Sequence, residues 1–185
     1  MNGTERTALG GAARYLARSV RLVRAADLSA PTPCPGWDLG RLLGHVRSSL
    51  ADLTEVLTGC SPLDGPDADP VAAVRARTVD LLVAWAVAPR AGWCQVGDRR
   101  VRPEIVVYTA AAEMVLHAWD ISRACGADHP IPAELATSLL DVSPPLAAVA
   151  GRVFAAPLGE MSSGELDCLY SGGSIRHPGQ RRSPA

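Results

Sequence analysis

An all-α helix bundle is the fold class this sequence predicts, and three observations carry it. Apolar residues recur at three- and four-residue steps along most of the chain. Breaks rich in proline and glycine cut that pattern into separate segments. Residues suited to helix starts stand before or at the head of these segments, as in Asp38, Asp69-Pro70 and Pro103-Glu104.

The first segment sets Leu9, Ala13, Leu16, Val20 and Val23 on one face and is expected to end near Ala26. From Ser29 to Gly36 the prolines at 31, 33 and 35 forbid helix. Asp38 then caps a second helix whose stripe is Leu39, Leu42, Leu43, Val46, Leu50, Leu53 and Leu57. At about 1.5 Å per residue that stripe is roughly 30 Å long. Gly59 to Asp69 reads as a loop. A third helix follows from Pro70, with Val71, Val74, Thr78, Leu81, Leu82 and Trp85 inward.

Pro89 to Arg102 has room for a short hairpin, after which Pro103 opens a fourth helix running to about Ala124. Gly126 suits its C-terminal turn. This fourth helix is apolar almost all round, which predicts a place in the middle of the domain. Shorter helices are expected over Pro132 to Leu140 and Pro144 to Phe154, and residues 171–185 read as a flexible tail. Four main helices with extra short C-terminal ones make a bundle the expected architecture.

Composition narrows the function classes. At 185 residues the chain is expected to form one domain. Its formal net charge is -1, so it has no overall positive field for nucleic acid or an acidic membrane. All 18 basic residues are arginine, a mark of a GC-rich genome more than of any function. Five widely spaced cysteines contain no CxxC pair, which argues against a disulfide scaffold or a cysteine zinc ribbon. No signal-peptide core and no apolar run of roughly 18 residues is present. The expected protein is cytoplasmic, a monomer or homodimer, acting on a small molecule.

Ionisable groups on a buried helix need compensation, because desolvating a charge costs several kcal/mol. The fourth helix carries three. At about 100° per residue, Glu113 and His117 lie about 40° apart, and Asp120 about 20° from Glu113. A carboxylate and an imidazole at this spacing can share one metal ion. They can equally form an ion pair that holds the bundle in register.

On the second helix His45 borders the leucine stripe, in a polar seam with Asp38, Ser49 and Asp52. If the two helices are neighbours, His45, Glu113 and His117 make a three-ligand set from facing helices. Two histidines and one glutamate leave a coordination position open, the pattern of catalytic rather than structural sites. Asp120 either orients a ligand from behind or pairs with Arg123. Cys34 is a reactive thiol, an extra ligand or a small packing group. Trp37, Tyr108 and Trp119 are pocket or core aromatics, and Arg75 and Arg77 either meet an acidic substrate or sit solvated.

The stretches Pro31-Thr-Pro-Cys-Pro-Gly-Trp37-Asp38, Leu42-Leu-Gly-His45-Val46 and Glu113-Met-Val-Leu-His117-Ala-Trp119-Asp120-Ile-Ser-Arg123-Ala124 resemble the DinB-like superfamily. Within it they are most similar to the branch containing mycothiol-dependent maleylpyruvate isomerase and related metal-binding proteins of actinobacteria. The resemblance covers roughly residues 5–156. It implies a four-helix bundle connected up-down-down-up over residues 1–156, followed by a divergent segment and tail over 157–185. It also implies a divalent metal, zinc first with nickel or manganese as alternatives, held by His45, Glu113 and His117.

The expected activity is attack by a metal-activated low-molecular-weight thiol, mycothiol, on an electrophilic small molecule, ending in thiol transfer or isomerisation. The alternatives are a thiol-independent metalloenzyme that tailors a secondary metabolite and a non-catalytic metal-binding module. That isomerase carries a second, sterol-carrier-like domain, for which the residues after 156 are too few. The resemblance therefore rests on the bundle.

Overall fold

The computed structural model describes residues 3–62, 69–88 and 91–140. Among the described residues there are five α-helices and one small hairpin: α1 (Gly3–Ser19), α2 (Leu39–Thr58), α3 (Pro70–Val87), β1 (Cys94–Val96), β2 (Arg99–Val101), α4 (Pro103–Ala124) and α5 (Ala133–Leu140). The fold is an all-α bundle, as the periodicity predicts. The hairpin lies within the expected excursion, with Cys94 paired to Val101 in antiparallel register.

The first helix is shorter than expected. It ends at Ser19, and the chain continues in single 3₁₀ turns at Val20–Leu22 and Ala25–Asp27. Arg24 and Asp27 close the second turn reciprocally: the Arg24 backbone N–H donates to the Asp27 carboxylate at 2.9 Å. That local pairing competes with continuation of the α-helix.

The predicted caps are in place. The Asp38 side chain accepts from the Arg41 backbone N–H at 2.8 Å, and Asp69 accepts from that of Val71 at 3.0 Å. Gly59 terminates α2 with φ 73°, a left-handed conformation that costs glycine little.

α4 packs along α1 and across α2, and α2 in turn packs on α3. The core between them includes Leu9, Leu16, Leu42, Leu43, Leu50, Leu81, Met114 and Ile121, all essentially inaccessible to water. α5 lies against α1. A methyl group added at Gly11 would come within 3.1 Å of Leu135 Cδ1, so the glycine permits this close approach. Tyr15 stacks on His129 at 4.7 Å and donates from its hydroxyl to the His129 carbonyl at 2.6 Å. The two contacts tie the chain after α4 back to α1.

Two further expectations need correction. α4 is not enclosed on all sides, since Leu116 is 44% and Trp119 38% exposed. A bundle helix has only about two close neighbours, so a helix apolar all round leaves one apolar stripe outside. The guanidinium of Arg123 covers part of it, 5.9 Å over the Trp119 ring. Arg77 is not solvated: it is 5% exposed and donates to Asp80 at 2.9 Å. Arg75 is exposed as expected.

No described helix is long and apolar enough to cross a membrane. The described cysteines are all thiols. The helix expected over Pro144 to Phe154, the boundary at 156 and the tail lie outside the described residues.

Candidate metal centre

The loop before α2 is shaped by its own hydrogen bonds. Pro31 and Asp38 form an antiparallel bridge, and the Thr32 hydroxyl donates to the Trp37 carbonyl at 3.0 Å. The Cys34 backbone N–H donates to the same hydroxyl at 3.2 Å. This closure sets Cys34 and Trp37 at the head of α2, with His45 two turns further on. Trp37 meets the His45 ring edge-on at 5.1 Å between centroids, and Arg41 lies 4.7 Å over Trp37.

α2 and α4 run antiparallel across the site. His45 faces His117, their rings 5.0 Å apart and nearly perpendicular. One turn along, the Ser49 hydroxyl donates to Glu113 Oε2 at 3.3 Å. The same carboxylate oxygen lies 3.3 Å from His117 Nε2 and 3.7 Å from His45 Nε2. One ligand atom from each of His45, Glu113 and His117 falls within 4.8 Å of the other two.

His117 is 1% exposed. Its Nδ1 meets Asp120 Oδ2 at 3.2 Å, and the Cys34 thiol donates to that oxygen at 3.7 Å. Asp120 therefore turns toward His117 rather than pairing with Arg123.

Electrostatics follow from this crowding. Burial works to raise the Glu113 carboxyl, but the neighbouring imidazoles of His117 and His45 outweigh it and hold the group at about 2. Burial likewise opposes the charged form of His117, yet Asp120 and Glu113 carry its pKa up to about 9. Without a cation, the pair is a carboxylate beside an imidazolium at neutral pH.

The donor set fits a small divalent cation. With Zn–N and Zn–O bonds near 2.0–2.2 Å, tetrahedral geometry separates ligand atoms by about 3.4 Å. The Glu113 oxygen stands 3.3 Å and 3.7 Å from the two imidazole nitrogens. His45 Nε2 is buried without a hydrogen-bond partner, which an ion at this point explains. Asp120 on Nδ1 keeps Nε2 of a neutral His117 available for coordination. The side chains of His45 and Glu113 keep 28% and 23% exposure, so solvent reaches this edge of the site.

The residues singled out by sequence thus come together from two helices. Tyr108 is half-buried and Trp119 exposed, away from the ligand face. Ser49 was visible in the sequence only as part of the polar seam beside His45. The approach of Cys34 to Asp120 had no sequence signal, because it depends on how the proline loop closes.

Residues 9–62 match the family described as "Mycothiol maleylpyruvate isomerase N-terminal domain". That family belongs to the DinB-like superfamily, and the helical bundle is consistent with its fold. The matched stretch includes His45 and ends before α3, so it does not reach Glu113 or His117. Two uncharacterized proteins of Mycobacterium tuberculosis, from strains CDC 1551 / Oshkosh and ATCC 25618 / H37Rv, are each 27% identical over 122 residues. That alignment covers 64% of this chain, and the chain spans 65% of the length of these curated relatives. No solved structure matches the chain.

Proposed function

We propose that the chain binds a divalent cation, zinc foremost, through His45, Glu113 and His117 and uses it to bring a small thiol such as mycothiol to an electrophilic small molecule. The observation that carries this reading is the meeting of three ligand atoms from α2 and α4 within 4.8 Å at a solvent-reached edge. The family matched over residues 9–62 supports the thiol. A bound zinc ion with a vacant position lowers the pKa of a thiol or water held there.

The chain's own groups set that position. Asp120 accepts from His117 Nδ1, fixing the ring's orientation and leaving Nε2 as the donor atom. Ser49 holds the Glu113 carboxylate in place, with Oε2 turned toward both imidazoles. Trp37 walls the outer side of His45 and limits water there. The reactants are small molecules acting on a soluble bundle, with neither nucleic acid nor membrane as partner.

Purified protein tests this directly. Zinc should bind near one equivalent and raise the melting temperature. Mycothiol should then shift the visible spectrum of the cobalt form and be consumed with an added electrophile. Absence of any metal binding overturns the reading. Metal binding with no response to mycothiol removes the thiol and leaves a thiol-independent metalloenzyme.

A further inference from the structure

We infer that the structure contains a second cation position, formed by Cys34 Sγ, Asp120 and His117 Nδ1, which competes with the first for the His117 ring. These three ligand atoms also lie within 4.8 Å of one another. Their spacing matches metal geometry as well as the first set does. In a tetrahedral zinc site an N–O edge is about 3.4 Å and an O–S edge about 3.6 Å. The observed separations are 3.2 Å from Nδ1 to Asp120 Oδ2 and 3.7 Å from that oxygen to Cys34 Sγ. The donor set is softer than the first, because it offers sulfur in place of a second imidazole.

The inference rests on the proposed function only through the shared His117 ring, and it needs no thiol substrate. Neutral imidazole has one proton and one donor lone pair. With the proton on Nδ1, Asp120 accepts it and Nε2 is offered toward His45 and Glu113. With the proton on Nε2, Glu113 Oε2 is the carboxylate oxygen beside it at 3.3 Å, and Nδ1 is offered toward Cys34 and Asp120. Each carboxylate thus serves one position as ligand and stands beside the ring proton when the other is filled. Entry into the second position releases two protons to solvent, the Nδ1 proton of the imidazolium and the Cys34 thiol proton, and leaves a neutral ring protonated on Nε2. Both positions would fill together only with a ring stripped of both protons, so near neutral pH a chain holds one cation at either place. The ligand class is a thiolate-tolerant divalent ion such as zinc or cobalt, and Cys34 becomes a metal ligand whenever the first set is impaired.

Cobalt(II) titration of the whole chain tests this, since a thiolate ligand adds an intense near-ultraviolet charge-transfer band that nitrogen and oxygen ligands lack. One equivalent on the unaltered protein should give a nitrogen/oxygen spectrum with little of that band. His45→Ala should gain the band strongly, and His45→Ala with Cys34→Ser should lose it. If His45→Ala loses its helical circular dichroism, Glu113→Gln, which keeps an acceptor oxygen, takes its place.

Cobalt bound by the impaired variant without the band overturns the inference, as does a band that survives Cys34→Ser or no cobalt binding at all. Failure of the first reading looks different: the unaltered protein would then lack a nitrogen/oxygen spectrum, whatever the thiolate band does.

Discussion

The Ser49 hydroxyl of α2 donates at 3.3 Å to the Glu113 oxygen of α4 that also faces both imidazoles. This bond joins the two helices one turn from the His45–His117 contact and fixes which carboxylate oxygen points inward. Ser49→Ala should leave the fold intact and weaken zinc binding by about 10-fold, the lower end of what loss of a supporting partner costs. Zinc titration against a competing chelator measures this; an unchanged affinity would show that Glu113 needs no such support.

Asp120 has the stronger claim on the centre, because it orients a ring that is almost wholly buried. Asp120→Asn should lower zinc affinity by roughly 10- to 100-fold. Its amide can still meet Nδ1 but cannot offset the ligand's charge. Helical circular dichroism should stay at the level of the unaltered protein.

Removing a ligand should do more than removing its support. His45→Ala should reduce zinc affinity by more than about 100-fold, beyond the range for outer partners. Because His45 stands at the edge of the leucine stripe, helical content should hold. Global unfolding instead would assign His45 to packing.

The cation-free protein should show a pH window set by Glu113 and His117. His117 is raised from 6.5 to about 9, so its contribution is complete below about 6.5 and fades as pH climbs through 9. Glu113 is lowered from 4.5 to about 2, so its contribution is complete above about 4.5 and fades as pH drops toward 2. Melting temperature without metal should therefore peak between about 4.5 and 6.5. With zinc added, the stabilisation should grow as pH rises from 6.5 to 9, because the competing proton leaves His117. A metal-free melting temperature that is flat from pH 6 to 9 would contradict the pairing.

Asp38 tests the helix that carries His45. Asp38→Ala removes the acceptor for the Arg41 backbone N–H and should cost about 1 kcal/mol, read as a lower denaturant midpoint.

Much of this molecule is legible in its sequence because the determinants are local. Asp38, Asp69 and Gly59 mark helix ends by chemistry that acts within a turn, and the Glu113–His117–Asp120 spacing follows from helical pitch alone. Even the pairing with His45 is visible once the two helices are taken as neighbours. What stayed hidden depends on tertiary arrangement. Apolarity on every side of α4 cannot say which stripe faces out, and an arginine on an apolar helix gives no sign that Asp80 will accompany Arg77 inward. The early end of α1 turns on a competition between Val20–Leu22 and the Arg24–Asp27 pairing that periodicity does not register. Cys34 reaches Asp120 only through the closed loop.

That loop, Pro31 to Asp38, has a consequence for kinetics. Three prolines restrict it even in the unfolded chain, and Thr32 clasps it shut in the folded one. Through Trp37 the loop stands against His45 with its shape already held by these bonds, so little disorder must be quenched when a molecule docks at the exposed edge of His45 and Glu113. Encounter rates there should then follow diffusion and charge, with no slow rearrangement of the loop before capture.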